Sequence, residues 1–287
     1  EPIDIQRGTV IAKKYCVGDK IKAGSFATVF FVKTLDEKEY SKVLKISKDN
    51  NSNEKYHTEV MILKSLGENC FPQFIEKFNF KQYKCIVMSY SGECVADILK
   101  RSPTETFSNP NVLRLTSTLF KSLDYLHQAD FVHGDIHGGN LMLKLRNGLL
   151  IFNLIDFGNA TLAKSTWKMS LNSISTSFNL NMSQKYDPID DFIGSMYYMS
   201  ECAGVYLFDE KHGGAIRAKE KFHRDPCKVY NSSQKWMGMV VAKLDQMKKN
   251  KSNDLIPIRD IFDAAIPHCN RTSPIEYKII DKKVYID

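Results

Sequence analysis

The sequence contains no apolar run approaching the roughly 18 residues of a bilayer-crossing helix, so no membrane span is expected. It has no CxxC pair either: Cys16, Cys70, Cys85, Cys94, Cys202, Cys227 and Cys269 are odd in number and widely scattered. That pattern supplies neither a zinc ligand set nor a disulfide framework, and reduced thiols follow. The expected compartment is therefore intracellular, cytoplasmic or nuclear. Export is left open, because the chain begins at Glu1 rather than Met and reads as an excised domain or a processed form. His57, His127, His212, His223 and His268 show no metal-ligand spacing, and there is no internal repeat. Sequons at Asn50, Asn181, Asn231 and Asn270 decide nothing in a chain rich in Ser and Asn.

What is present is ordinary for a globular protein: 287 residues, 43% hydrophobic and 25% charged, enough for one large domain or two lobes. The formal charge of +7 suits a nucleotide polyphosphate or an acidic substrate as well as a plain basic surface, and gives no direct nucleic-acid signal. Strand-like segments run over Thr9 to Cys16, Ala27 to Thr34, Lys42 to Ile46, Phe74 to Phe80 and Cys85 to Ser89. Lys48 to Asn53 reads as a polar loop, and Glu54 to Leu66 as a helix stopped by Gly67. Beyond residue 90 the pattern is mostly helical. Val112, Leu115, Leu119, Leu123 and Leu126 mark one face of a long buried helix over Asn111 to Gln128. Leu141 to Leu145 and Leu149 to Ile155 form a hairpin around Asn147-Gly148. Ser165 to Pro188 is a long loop, and helices are expected over Asp191 to Cys202 and Ser232 to Lys248. Lobes of residues 1–90 and 91–287 follow.

The most informative stretch is His133-Gly134-Asp135-Ile136-His137-Gly138-Gly139-Asn140, followed by Asp156-Phe157-Gly158. Phosphoryl transfer needs such equipment: one carboxylate near the incoming hydroxyl, and an amide and a second carboxylate to hold Mg²⁺ on the nucleotide. Upstream, Ile21-Lys22-Ala23-Gly24-Ser25-Phe26-Ala27-Thr28-Val29 resembles a glycine-rich phosphate loop, and Lys45 precedes Glu59 by fourteen positions.

Together these segments resemble a eukaryotic-type protein kinase domain from about Lys13 to Lys248. The small lobe and hinge are casein kinase 1-like, and the activation segment is shortened in a haspin-like way. The resemblance implies an α+β, bilobal protein kinase-like fold, with a small antiparallel β lobe carrying one helix and a larger, mainly helical lobe. It implies ATP and Mg²⁺ as cofactors, a protein substrate as partner, and a monomer. Gly24 and Ser25 would approach the phosphates, Lys45 would neutralise the α- and β-phosphates, and Glu59 would pair with Lys45. Met88 would guard the rear pocket, Ser89 and Ser91 would offer backbone groups to adenine, and Val29, Val43 and Met142 would sandwich the base. Asp135 would act as catalytic base or orient the hydroxyl, with Asn140 and Asp156 as Mg²⁺ ligands. Leu63, His133 and Phe157 match the family's stacked apolar column, with Asp191 at its base.

The departures are specific. Only Gly24 is left of three loop glycines, with Lys22 and Ala27 at the other positions. Gly134 stands where regulated kinases carry an Arg that pairs with a phosphorylated activation loop, so that switch is not expected. His137 replaces a γ-phosphate lysine with an imidazole that adds no fixed charge, which predicts slow or pH-sensitive turnover. Asp191 follows Asp156 by thirty-five positions with no Ala-Pro-Glu between them, so the peptide platform is shortened or rebuilt. His-Gly-Asp-x-x-x-x-Asn with Ile-Asp-Phe also resembles small-molecule phosphotransferases of the aminoglycoside and choline type. A pseudokinase binding module is the third reading. Retention of Lys45, Glu59, Asp135, Asn140 and Asp156 argues against that module, and the loop-lysine-glutamate series of the small lobe with its kinase-like hinge favours a protein kinase, expected to be Ser/Thr, catalytic through Asp135, Lys45, Glu59 and His137.

Overall fold

In the computed structural model the described residues are 3–24, 26–47, 53–67, 70–163, 177–178, 185–208 and 215–287. They form two compact units, one of residues 1–92 with 155–160, the other of residues 93–154 with 161–287.

The first unit is a six-stranded sheet with one helix among its described residues. Its elements are β1 (Val10–Ile11), β2 (Tyr15–Ala23), β3 (Ala27–Thr34), β4 (Lys42–Ser47), α1 (Asn53–Ser65), β5 (Phe74–Phe80) and β6 (Tyr83–Ser89). The sheet order is β1-β2-β3-β4-β6-β5, antiparallel throughout. Side chains alternate across each strand, so register assigns every residue to a face. Tyr15, Val17, Phe30, Val32, Leu44, Ile46, Cys85 and Val87 are all buried in one core cluster. The other face of the central strands carries Val29, Val43, Lys45, Ile86 and Met88, because Val29 pairs with Lys45, Lys45 with Ile86, and Val43 with Met88.

Two sequence expectations are corrected here. The strand expected over Thr9 to Cys16 is broken at Ala12 and Lys13, whose φ values of 52° and 55° make a left-handed turn. A nine-residue strand, β2, then runs on to Ala23, giving six strands rather than five. The segment Ile155–Ala160, assigned from sequence to the second lobe, belongs to the first unit. Phe157 is fully buried, with its ring 5.8 Å from that of Phe71, and Asp156 binds Lys45 on β4.

The second unit is mainly helical: α2 (Val95–Arg101), α3 (Asn109–Gln128), α4 (Pro188–Cys202), α5 (Ala215–Arg224), α6 (Lys235–Asn250) and α7 (Ile256–Ala264). Its core contains an aromatic cluster in which Phe120 lies 4.7 Å from Phe192 and 5.2 Å from Phe262, with Trp236 at 5.9 Å from Phe262. Two short strands, β7 (Leu141–Arg146) and β8 (Leu149–Leu154), form the expected hairpin. Asn147 and Gly148 both take positive φ, as a tight turn matched to strand twist requires. α4 starts earlier than expected, because Asp187 caps it in a reciprocal box with Asp190 and Pro188 opens its first turn. Of the loop expected over Ser165 to Pro188, most lies outside the described residues. No helix among the described residues is long and apolar enough to cross a membrane.

Leu123 is fully buried on α3. Leu123→Ala should cost about 2–5 kcal/mol, read by urea unfolding. An unchanged midpoint would remove that helix face from the core.

Candidate active site

On β4, Lys45 projects its ammonium between two carboxylates of the first unit. Nζ lies 2.7 and 2.8 Å from the Glu59 oxygens on α1, and 2.7 Å from Asp156 Oδ1. Burial pulls Lys45 toward its neutral form, but the charges of Glu59 and Asp156 outweigh that pull and hold its pKa above the ordinary lysine value. Burial likewise pushes Glu59 upward, opposed by Lys45 and reinforced by Asp156. The side chains of Lys45 and Glu59 are 13% and 5% exposed, whereas that of Asp156 is 42% exposed. Asp156 is thus the outward member of the set.

The backbone around Asp156 is specialised. Its φ of 65° is left-handed, and its side chain accepts from the Gly158 N–H at 3.3 Å while capping a short 3₁₀ turn over Phe157–Asn159. A Cβ at residue 158 would sit 3.2 Å from Asp156 Oδ1, so glycine leaves room for the carboxylate to fold back. Val29, Val43 and Met88 share the sheet face of Lys45, as the register above dictates. Gly24 closes the β2–β3 hairpin tip, its N–H donating to the Ala27 carbonyl at 2.9 Å. Ser25 lies outside the described residues. Ser89 differs from expectation: its N–H donates to the Gln73 carbonyl at 3.0 Å and its hydroxyl accepts from the Gln73 N–H at 2.9 Å. Only its carbonyl is then a candidate for adenine. Ser91 has a buried hydroxyl with no partner among the described residues.

In the second unit, the loop from His133 to Asn140 is held from below by Asp191 on α4. This fully buried carboxylate accepts from the His133 N–H at 2.7 Å, the Gly134 N–H at 2.9 Å, His127 Nε2 at 2.9 Å and the Tyr186 hydroxyl at 2.5 Å. Burial alone would raise its pKa, but the His127 hydrogen bond and the other donors bring it below the ordinary Asp value. Gly134 has φ +74°, a conformation that favours glycine at this position. Asn140 donates from Nδ2 to the Asp135 carbonyl at 2.9 Å, and its N–H to the His137 carbonyl at 2.9 Å. His137 Nδ1 accepts from the Gly139 N–H at 3.1 Å, so the proton of a neutral ring sits on Nε2, which lies 3.8 Å from Asp135 Oδ1. Met142 is on β7, facing away from the buried side of Leu141 and Leu143. Sequence reading missed the support under this loop: a Cβ at Gly138 would fall 1.9 Å from the Tyr198 hydroxyl, so that ring occupies the space directly beneath the chain. The available signal was the Gly138-Gly139 pair, which marks a close approach without naming its partner.

The expected side chains thus fall into two sets. Lys45, Glu59, Asp156, Gly24, Val29, Val43, Met88, Ser89 and Ser91 belong to the first unit; Asp135, His137, Asn140 and Met142 belong to the second. The protein kinase domain model matches residues 15–201. The chain belongs to the protein kinase family. Among similar proteins are MAP3K epsilon protein kinase 2 of Arabidopsis thaliana and MAP3K epsilon protein kinase 1 of Brassica napus, each 26% identical over 159 residues and 54% of this chain. The match spans only 11% and 12% of those relatives' lengths. A solved kinase-domain crystal structure superposes with a TM-score of 0.66 at 16% identity, over 92% of this chain and 87% of that one. That likeness shows the bilobal kinase fold.

In this kinase domain, Asp191 makes a specific prediction for pH. A carboxylate held below its ordinary pKa stabilises the fold above that value and loses the contribution as pH falls through the depressed one. Asp191→Asn sets an NH₂ among four donors and should cost on the order of 3 kcal/mol at neutral pH. It should also flatten the loss of stability of the wild type below about pH 4. Unfolding midpoints across pH 2 to 7, roughly the span over which an Asp titrates, provide the check. Parallel curves would mean that Asp191 is not the titrating support.

Gly138→Ala should destabilise by about 1–3 kcal/mol through overpacking. Tyr198→Phe should not rescue it, because the ring carbon Cζ lies 2.2 Å from the added methyl. A wild-type melting temperature in Gly138→Ala would contradict this packing.

Proposed function

We propose that this kinase domain transfers the γ-phosphate of Mg-ATP to a Ser or Thr hydroxyl of a protein, without phosphorylation of its activation segment. The observation that carries the reading is the Lys45 ammonium, held at 2.7 to 2.8 Å by Glu59 and Asp156 on the sheet face that also bears Val29, Val43 and Met88. A fixed cation beside an apolar surface suits a purine with a polyphosphate tail. Gly24 supports the same reading. Among the described residues a Cβ there would meet only the Ala27 carbonyl at 3.5 Å, an ordinary contact, so none of them demands glycine. Room for a phosphate above the loop is a reason for it. The buried Ser91 hydroxyl, without a partner among the described residues, is a further polar atom suited to a ligand.

Each unit offers an oxygen of the kind Mg²⁺ takes: in the first, Asp156 presents an exposed carboxylate; in the second, the Asn140 amide nitrogen is committed to Asp135, which leaves its oxygen as an acceptor. Such hard oxygens, one or two from protein, are what this ion takes alongside phosphates and water. When bound, the ion would neutralise charge on the phosphates. Lys45 would bind the α- and β-phosphates, and Glu59 would keep its ammonium aimed. Asp135 would accept or orient the acceptor hydroxyl's hydrogen, its carboxylate steadied by Asn140 at 3.5 Å. His137, whose Nε2 lies 3.8 Å from Asp135 Oδ1, would sit beside that carboxylate rather than contribute a fixed phosphate charge. Gly134 has no side chain to receive a phosphorylated loop, which supports activity without that switch.

The test is transfer from γ-labelled ATP to a generic protein acceptor and, separately, to a panel of aminoglycosides and choline. Label should enter protein Ser and Thr. Asp135→Asn should abolish transfer while Mg-ATP still raises the melting temperature. Label in small molecules alone would identify a small-molecule phosphotransferase. Absence of both transfer and a thermal shift would leave a binding module.

A further inference from the structure

Lys55 stands one helical turn before Glu59 on α1, so both project on the same side of the helix. Glu59 grips Lys45 on β4. Lys55 makes two other contacts within the first unit. Its Nζ lies 4.2 Å from the ring centroid of Phe26 and 3.0 Å from Asn159 Oδ1. Phe26 lies in the β2–β3 connection, two positions after Gly24, and is 60% exposed. Asn159 follows Asp156-Phe157-Gly158 directly.

We propose that Lys55 is a positioning residue that ties the tip of the phosphate loop to the turn carrying Asp156. The inference rests on the Mg-ATP reading for its catalytic consequence alone; the tie itself is a property of the free protein. One ammonium meets the face of an exposed aromatic ring on one side and an amide oxygen on the other. The ring quadrupole attracts the cation, and the amide oxygen accepts its hydrogen bond. α1 therefore holds the nucleotide-facing elements at two points four residues apart, Glu59 on the strand lysine and Lys55 on the loop tip. With Lys22 and Ala27 at the other glycine positions, this loop has less backbone freedom to close on phosphate. A side-chain tether that sets the tip in place offsets that loss.

The experiment is amide hydrogen exchange over residues 22–28 of the full chain without nucleotide. The proteins are wild type, Lys55→Met, Phe26→Ala, the double variant and Lys55→Arg. Each single loss should speed exchange by about two- to fivefold, the factor an exposed cation–π contact supplies. The double variant should exchange no faster than the singles, because both remove one interaction. Arg also stacks on aromatic faces, so Lys55→Arg should keep near-wild-type protection. Wild-type exchange in Lys55→Met, or effects that multiply in the double variant, would overturn the tie. In parallel, Lys55→Met should raise the KM for Mg-ATP by a similar factor, more than it lowers kcat, with recovery in Lys55→Arg. A changed exchange rate with unchanged KM would overturn the role in positioning nucleotide. If the wild type neither binds nor turns over Mg-ATP, the kinase reading fails, while the exchange rates still decide whether Lys55 holds the tip.

Discussion

An ammonium with little exposed surface does not persist in a protein without anionic partners, and Lys45 sets that constraint on the first unit. Two carboxylates from distant parts of the chain converge on it: Glu59 from the helix fourteen residues on, and Asp156 from beyond residue 150. Removing Glu59 would leave the ammonium poorly compensated in a buried setting, where an uncompensated ion is far costlier than a surface pair is favourable. This explains why Ile155–Ala160 packs with the β unit despite its place in the sequence. Of the three groups, only Asp156 is substantially exposed, so it is the partner that can turn to a ligand while Glu59 keeps hold of the lysine.

The second unit solves a comparable problem with the opposite charge. Asp191 is fully buried and collects four hydrogen bonds, two of them from the backbone of the loop that carries Asp135. A buried anion satisfied by backbone N–H groups fixes the chain rather than one side chain, which is what a positional mechanism requires. Tyr198 beneath Gly138 supplies the steric part of the same support. Each unit thus builds its candidate chemistry on a charge whose burial demands specific neighbours.

Much of this was legible in sequence because the constraints are local or carry strong residue signatures. The β3, β4 and β6 segments are short apolar runs carrying Val, Ile or Phe, and Asn147-Gly148 marks its turn. The loop from His133 to Asn140 has a spacing that few packing roles need. Other features depended on tertiary partners that no periodicity reveals. The break at Ala12 and Lys13 places ordinary residues in left-handed conformation without a Gly or Asn to signal it. The commitment of the Ser89 N–H to Gln73 depends on a pairing between segments. Helices α2, α5 and α7 are short, at seven, ten and nine residues, so their apolar periodicity gives little to read. The Lys55 contacts join three segments whose residues look like solvated surface when taken singly.

Asp156 and Lys45 are proposed as the metal and phosphate half of the kinase site. That role is tested most directly by titrating ATP into wild type and Asp156→Asn by calorimetry, with Mg²⁺ and with the metal chelated. The account predicts that Mg²⁺ tightens ATP binding to the wild type and that this gain disappears in Asp156→Asn, while the variant stays folded. Equal ATP affinity with and without Mg²⁺ in the wild type, or an undiminished Mg²⁺ effect in Asp156→Asn, would contradict it.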